Sequence, residues 1–75
     1  MERYKNLGGN SGVVGYEIGS DFIRVQFSNG SVYLYTYASA GANNVEQMKR
    51  LARMGQGLNA FINRHVRKAY ERKER

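Results

Sequence analysis

Phe22-Ile-Arg-Val-Gln-Phe-Ser-Asn-Gly-Ser-Val-Tyr-Leu-Tyr-Thr-Tyr37 decides how this chain folds. Ile23, Val25 and Phe27 alternate with Arg24 and Gln26, the period of a half-buried strand. Asn29-Gly30 follows, and Asn-Gly between apolar runs is the strongest short hairpin signal. Val32–Tyr37 is rich in aromatic and β-branched residues, which fit a pleated surface. Two loop geometries suit Ser28-Asn29-Gly30-Ser31. In a two-residue turn Ser28 pairs with Ser31, Val25 faces Leu34, and Tyr33, Tyr35 and Tyr37 lie outside with Phe22, Arg24 and Gln26. In a three-residue loop with Gly30 left-handed, Phe27 pairs with Ser31 instead. Tyr33 and Tyr35 then join Ile23, Val25 and Phe27 in the core. One residue of register moves every side chain across the sheet. Burying Val32 and Leu34 favours the first register, and aromatic bulk in a thin core favours the second.

Working outward, Val13–Ile18 reads as an earlier strand and Gly19-Ser20-Asp21 as a turn. Residues 1–12 end in Leu-Gly-Gly-Asn-Ser-Gly and read as a flexible lead-in. On the other side, Ala38–Ala42 breaks the strand pattern. Asn43 or Asn44 is expected to cap a helix that carries Val45, Met48, Leu51 and Ala52 at helical spacing. Gly55 ends it as a left-handed cap. A second helix places Leu58, Phe61, Ile62, His65, Val66 and Ala69 or Tyr70 on one stripe. Residues 71–75 alternate in charge and read as a fraying tail. The expected architecture is α+β: a three-stranded antiparallel β-meander followed by two α-helices packed on one face. It is one domain over residues 13–70, with Phe61, Ile62 and Val66 packed on Val25, Phe27 and Leu51.

Charge is distributed as unevenly as structure. Residues 43–75 carry nine basic and three acidic side chains, so the whole net charge of +6 lies there. Residues 1–42 balance to zero. A one-sided positive field attracts polyanions, nucleic acid first. Asn63, Arg64, Arg67, Lys68 and Tyr70 form the best candidate site. Asn63 and Arg67 are i,i+4, and Arg64 is three and four residues before Arg67 and Lys68, so they share a helical face. Guanidiniums and an amide suit phosphate oxygens. The bland alternative is a solvated face, or Asn63 and Arg67 holding the helix in place. Lys49, Arg50 and Arg53 add a second basic patch. Tyr33, Tyr35 and Tyr37 are base-stacking candidates if they face outward.

Catalysis is not expected. Glu17 and Asp21 flank a turn and read as solvated turn charges rather than an acid/base pair. Cysteine is absent, and the serines lie in turns or glycine-rich segments without a nucleophile elbow. His65, the sole histidine, reads as a packed core histidine, and alone it cannot make a zinc site. Gly8-Gly9-Asn10-Ser11-Gly12 lacks the Lys-Ser/Thr and preceding strand of a phosphate loop. No cofactor, metal or small-molecule substrate is called for. With no cysteine, no apolar run of about 20 residues and no secretory-type start, a cytoplasmic protein without membrane contact is expected.

Four elements in order resemble the KTSC domain family, named for the C-terminus of some lysyl-tRNA synthetases. They are Val14-Gly15-Tyr16, the Phe27…Gly30 hairpin, Tyr33-x-Tyr35, and Phe61-x-Asn63…Arg67-x-x-Tyr70, spanning roughly residues 13–70. Leu34 stands where the family often has a polar residue, and the usual Val-Pro after the tyrosines is replaced by Ala38–Ala42. The resemblance implies Tyr33 and Tyr35 inward and RNA as the polyanion. The expected function is a small non-enzymatic binding module for RNA. The alternative is a protein-interaction or accessory domain whose charge serves solubility. Oligomeric state is left open.

Overall fold

The hairpin takes the three-residue loop. In the computed structural model, which describes residues 1–9 and 11–75, the Phe27 N–H donates to the Ser31 carbonyl at 2.8 Å. The Gly30 N–H donates back to the Phe27 carbonyl at 2.9 Å, and Gly30 sits at φ +90°, a region that favours glycine. β3 (Phe22–Phe27) and β4 (Val32–Thr36) therefore pair with Ile23 opposite Tyr35 and Val25 opposite Tyr33. Ile23, Val25 and Tyr35 are buried, and Phe27 and Tyr33 pack half-buried against them. Aromatic bulk thus takes the core face. Val32 and Leu34, on the other face, are buried as well.

That second burial follows from a larger sheet than the sequence predicts. Five strands lie in the order β1-β2-β3-β4-β5, each neighbour antiparallel: β1 (Glu2–Arg3) and β2 (Val13–Ile18) precede the hairpin, and β5 (Arg72–Lys73) follows it. Both terminal segments, expected to be free, instead pair as edge strands of the sheet. At the C-terminus, Glu71 N–H donates to Leu34 O at 2.6 Å and Glu74 N–H to Val32 O at 2.7 Å. Arg24 reaches from β3 across β4 to Glu74, with Nε to Oε1 at 2.7 Å, over the face that carries Val32 and Leu34. The alternating charges of the tail are thereby partnered rather than solvated. At the N-terminus, Tyr4 is buried, and its hydroxyl accepts from the Leu58 N–H at 3.3 Å. Tyr4 N–H donates to Val14 O at 3.0 Å and Leu7 N–H to Gly55 O at 2.7 Å. A thin core gains from one more large ring, wherever in the chain it lies. Asn10, also assigned to the lead-in, is outside the described residues.

The helical layer also begins and ends differently. Tyr37–Ala40 forms a single helical turn, α1, where a break was expected. Thr36 Oγ1 accepts from Ser39 N–H at 3.0 Å and Ser39 Oγ from Thr36 N–H at 3.0 Å, a reciprocal capping box. α2 (Ala42–Met54) then starts at Gly41, not at a side-chain cap from Asn43 or Asn44. Asn44 lies inside the helix and its amide donates to Ala40 O at 2.9 Å. Gly55 closes α2 left-handed at φ +80°, as the sequence predicts. The last helix has two parts, α3 (Leu58–Phe61) and a π-helical turn over Ile62–Val66. Wider turns keep residues spaced by four in line. Leu58, Ile62 and Val66 accordingly face the core, joined by Val45, Met48 and Ala52 of α2. His65 is rotated out: it is exposed and lies against the Phe61 ring at 4.7 Å, so it is not a core histidine. Phe61 and Leu51 are half-buried at the rim of the core. The helix itself ends at Val66, before Ala69 and Tyr70.

Candidate nucleic-acid interface

Ion pairing sorts the charges between the two sides of the molecule. On the sheet face away from the helices, Glu17, Arg24, Leu34 and Arg72 are cross-strand neighbours in one row. Arg24 bonds Glu17 at 3.2 Å and Glu74 at 2.7 Å, and Arg72 bonds Glu74 at 3.2 Å. Arg24 holds the Glu74 carboxyl below the usual carboxylate range, and Glu74 in turn raises the Arg24 guanidinium. Thr36 Oγ1 donates to Glu71 at 2.8 Å. Three of the chain's six acids, Glu17, Glu71 and Glu74, cluster in this network, so the sheet face is close to neutral.

A further acid, Glu46 of α2, removes one candidate cation from the helical layer. Lys49 is only 5% exposed, so it is no phosphate ligand in this fold. Its ammonium donates to Glu46 at 2.7 Å and to the Ser20 carbonyl at 3.0 Å, and lies 5.6 Å from the Tyr37 ring centroid. A buried ammonium needs such partners, and these tie α2 to the turn between β2 and β3. Lys49, then the Tyr37 hydroxyl, lowers the Glu46 carboxyl, while the same hydrogen bond raises the Tyr37 phenol.

What remains on the helical layer is basic. Residues 42–70 hold six Lys or Arg and one acid, Glu46, a balance of +5. Arg50, Arg53, Arg64, Arg67 and Lys68 are exposed, as is Asn63. Among the described residues none of these five cations has an ion-pair partner. Asn63 and Arg64 lie in the π turn, and Arg67 and Lys68 follow its last residue. α2 packs directly on that turn, so the two basic segments belong to one layer. Arg53 departs toward the β1–β2 edge, where it lines an open concavity of about 830 Å³ with Lys5, Glu2, Glu17 and Tyr16.

The tyrosines separate into different roles. Tyr35 is buried and cannot stack a base, which corrects that candidate. Burial, then Tyr33 and Tyr70 beside it, pushes its phenol up to about 12. Tyr33 is half-covered by Tyr70, with ring centroids 4.8 Å apart at 65°, and by Phe27 at 5.6 Å. Tyr37 is exposed, but its hydroxyl is committed to Glu46. Tyr70 is the exposed ring of the cluster; it lies beyond the helix, not on the helical face expected of it. Lys73 was not singled out in the sequence, because nothing there showed that residue 73 pairs with Tyr33. Its ammonium lies 5.8 Å from the Tyr33 ring centroid.

Comparison with protein-family models, curated proteins and solved structures finds no match for this chain. Among the described residues, no helix is long and apolar enough to cross a membrane.

Proposed function

We propose that this chain is a KTSC-like, non-enzymatic module that binds RNA by its phosphate backbone. Arg64, Arg67 and Lys68 are the principal contacts, Asn63 an accessory donor, and Arg50 and Arg53 extend the surface. The observation that carries the reading is the segregation of charge. Carboxylates pair with Arg24, Arg72 and Lys49, whereas the exposed cations of the helical layer have no carboxylate partner among the described residues. A cation that already has a carboxylate gains little from a phosphate, and one without gains more. The inward register of Tyr33 and Tyr35 agrees with the placement that the KTSC resemblance implies. The absence of cysteine suits a reducing compartment, so we place the module in the cytoplasm.

Salt-dependent fluorescence anisotropy with a labelled single-stranded RNA tests the proposal. Log affinity should fall linearly with log salt, and removing Arg64, Arg67 or Lys68 should lower the slope by about 0.7 each. Binding should weaken alike for all sequences, because phosphate contacts carry little sequence information. No binding at low salt, or a slope untouched by the triple variant, would refute it.

A further inference from the structure

We infer that Tyr70 is a stacking subsite for one unpaired base, which makes the ligand of the basic face a single strand rather than a duplex. This inference rests on the RNA reading and adds the part of the nucleotide that phosphate contacts ignore.

Two fixed points bracket Tyr70. Ala69 N–H donates to Val66 O at 2.9 Å, and Glu71 N–H donates to Leu34 O at 2.6 Å. Between them the ring packs against Tyr33 at 4.8 Å and Tyr35 at 6.4 Å, in edge-type geometry at 65° and 89°. Residue 70 nevertheless keeps 37% of its surface exposed. An exposed ring held by other rings has little rotamer freedom left to lose when a base stacks on it.

Its surroundings suit the rest of a nucleotide. Arg67 and Lys68 precede it at the end of the π turn, exposed and without ion-pair partners among the described residues. Lys73 pairs opposite Tyr33 in the sheet and brings a further ammonium to the same ring cluster. The nearest acid in sequence, Glu71, is engaged by the Thr36 hydroxyl. Tyr37 is as exposed but has the opposite setting, with its hydroxyl on Glu46 and its N–H on the Asp21 carbonyl. The one ammonium beside that ring, Lys49, is buried and held by Glu46 and the Ser20 carbonyl, so it is not open to a phosphate. Bases inside a duplex are already stacked and cannot reach a ring at the edge of a sheet, whereas an unpaired base can. Every base has a π-face, so the subsite would be tolerant of sequence.

The test compares a short oligouridylate with an abasic ribose-phosphate chain of equal length and charge. Wild-type protein should bind the base-bearing chain more tightly, by about five- to a hundred-fold, the range that one base–aromatic stack provides. Tyr70→Phe should keep that preference. Tyr70→Leu, which retains apolar volume but has no π-face, should lose it while keeping the affinity for the abasic chain and its salt slope. In the wild-type protein the Tyr70 ring protons should shift on adding oligouridylate and stay in place with the abasic chain, a readout that needs no variant. Equal affinity for the two chains, or a preference that survives Tyr70→Leu, overturns the subsite and leaves phosphate binding standing. Failure to bind either chain at low salt overturns the RNA reading itself.

Discussion

Tyr4→Ala should come close to unfolding this protein, although the sequence around Tyr4 reads as a free arm. Tyr4 is 3% exposed and belongs to the core cluster with Val13, Leu58 and Ile62. Truncating a buried aromatic residue to alanine costs about 3–5 kcal/mol. A core of this size supplies only about 3–5 kcal/mol in total. Tyr4→Ala should therefore lack a cooperative transition, or show one shifted far down, in thermal and urea unfolding followed by circular dichroism. Tyr4→Phe separates the ring from its hydroxyl. It keeps the packing but orphans the Leu58 N–H, which donates to Tyr4 Oη at 3.3 Å. That should cost about 1–2 kcal/mol, a fall in midpoint of roughly 4–16 °C with an unchanged urea slope. Gly55→Ala attacks the same seam from the other side. Gly55 sits at φ +80°, and an added Cβ would come within 2.5 Å of the Lys5 Cβ. A Tyr4→Ala protein that melts like wild type would show that the N-terminal segment is a free arm and would refute the packing.

Further expectations concern the buried lysine, the buried phenol and the hairpin. Lys49→Gln should lower stability by about 1–2 kcal/mol through lost hydrogen bonds yet leave the salt slope of RNA binding unchanged, since Lys49 faces Ser20 and Glu46. In an alkaline absorbance titration the Tyr35 phenol should ionise near 12, and Tyr35→Phe should remove that step. Because burial raises its pKa above the unfolded value, the stability that Tyr35 contributes is complete below pH 10 and is lost as pH rises toward 12. A late step that Tyr35→Phe leaves unchanged, or no such step in the wild-type protein, would contradict the burial of Tyr35. Gly30→Ala should cost about 1–2 kcal/mol, because φ is +90° there; no change in the unfolding midpoint would contradict the left-handed conformation of Gly30.

The hairpin and α2 were legible because each depends on neighbours in sequence. Asn29-Gly30 announces the turn, and Gly55 announces the helix end. The three-residue register was one of two open choices; aromatic bulk on the core face and a left-handed Gly30 take it in the structure. The two terminal strands were not legible, since two-residue strands carry no alternation and Tyr4 stands alone among polar residues. Lys49 looked like its neighbours Arg50 and Arg53. Only the position of the Ser20 carbonyl and Glu46 distinguishes it, and that is a tertiary fact. His65 and Tyr70 were assigned to a continuous α-helix. The π turn at Ile62–Val66 moves the first off the core stripe, and the stop before Ala69 moves the second onto Tyr33. The basic character of the C-terminal half was legible from composition, while its confinement to the helical layer needed the ion pairs of Arg24, Arg72 and Lys49 to be seen.

The central claim is that the helical layer, and not the outer face of the sheet, meets the polyanion. A nitrogen-edited NMR titration of the labelled protein with a short single-stranded RNA at low salt tests it most directly. Shifts should concentrate at Asn63, Arg64, Arg67, Lys68 and Tyr70, extend to Arg50 and Arg53, and leave Arg24, Gln26 and Leu34 unmoved. Shifts centred on Arg24, Gln26 and Leu34, or a spectrum that RNA does not change, would contradict it.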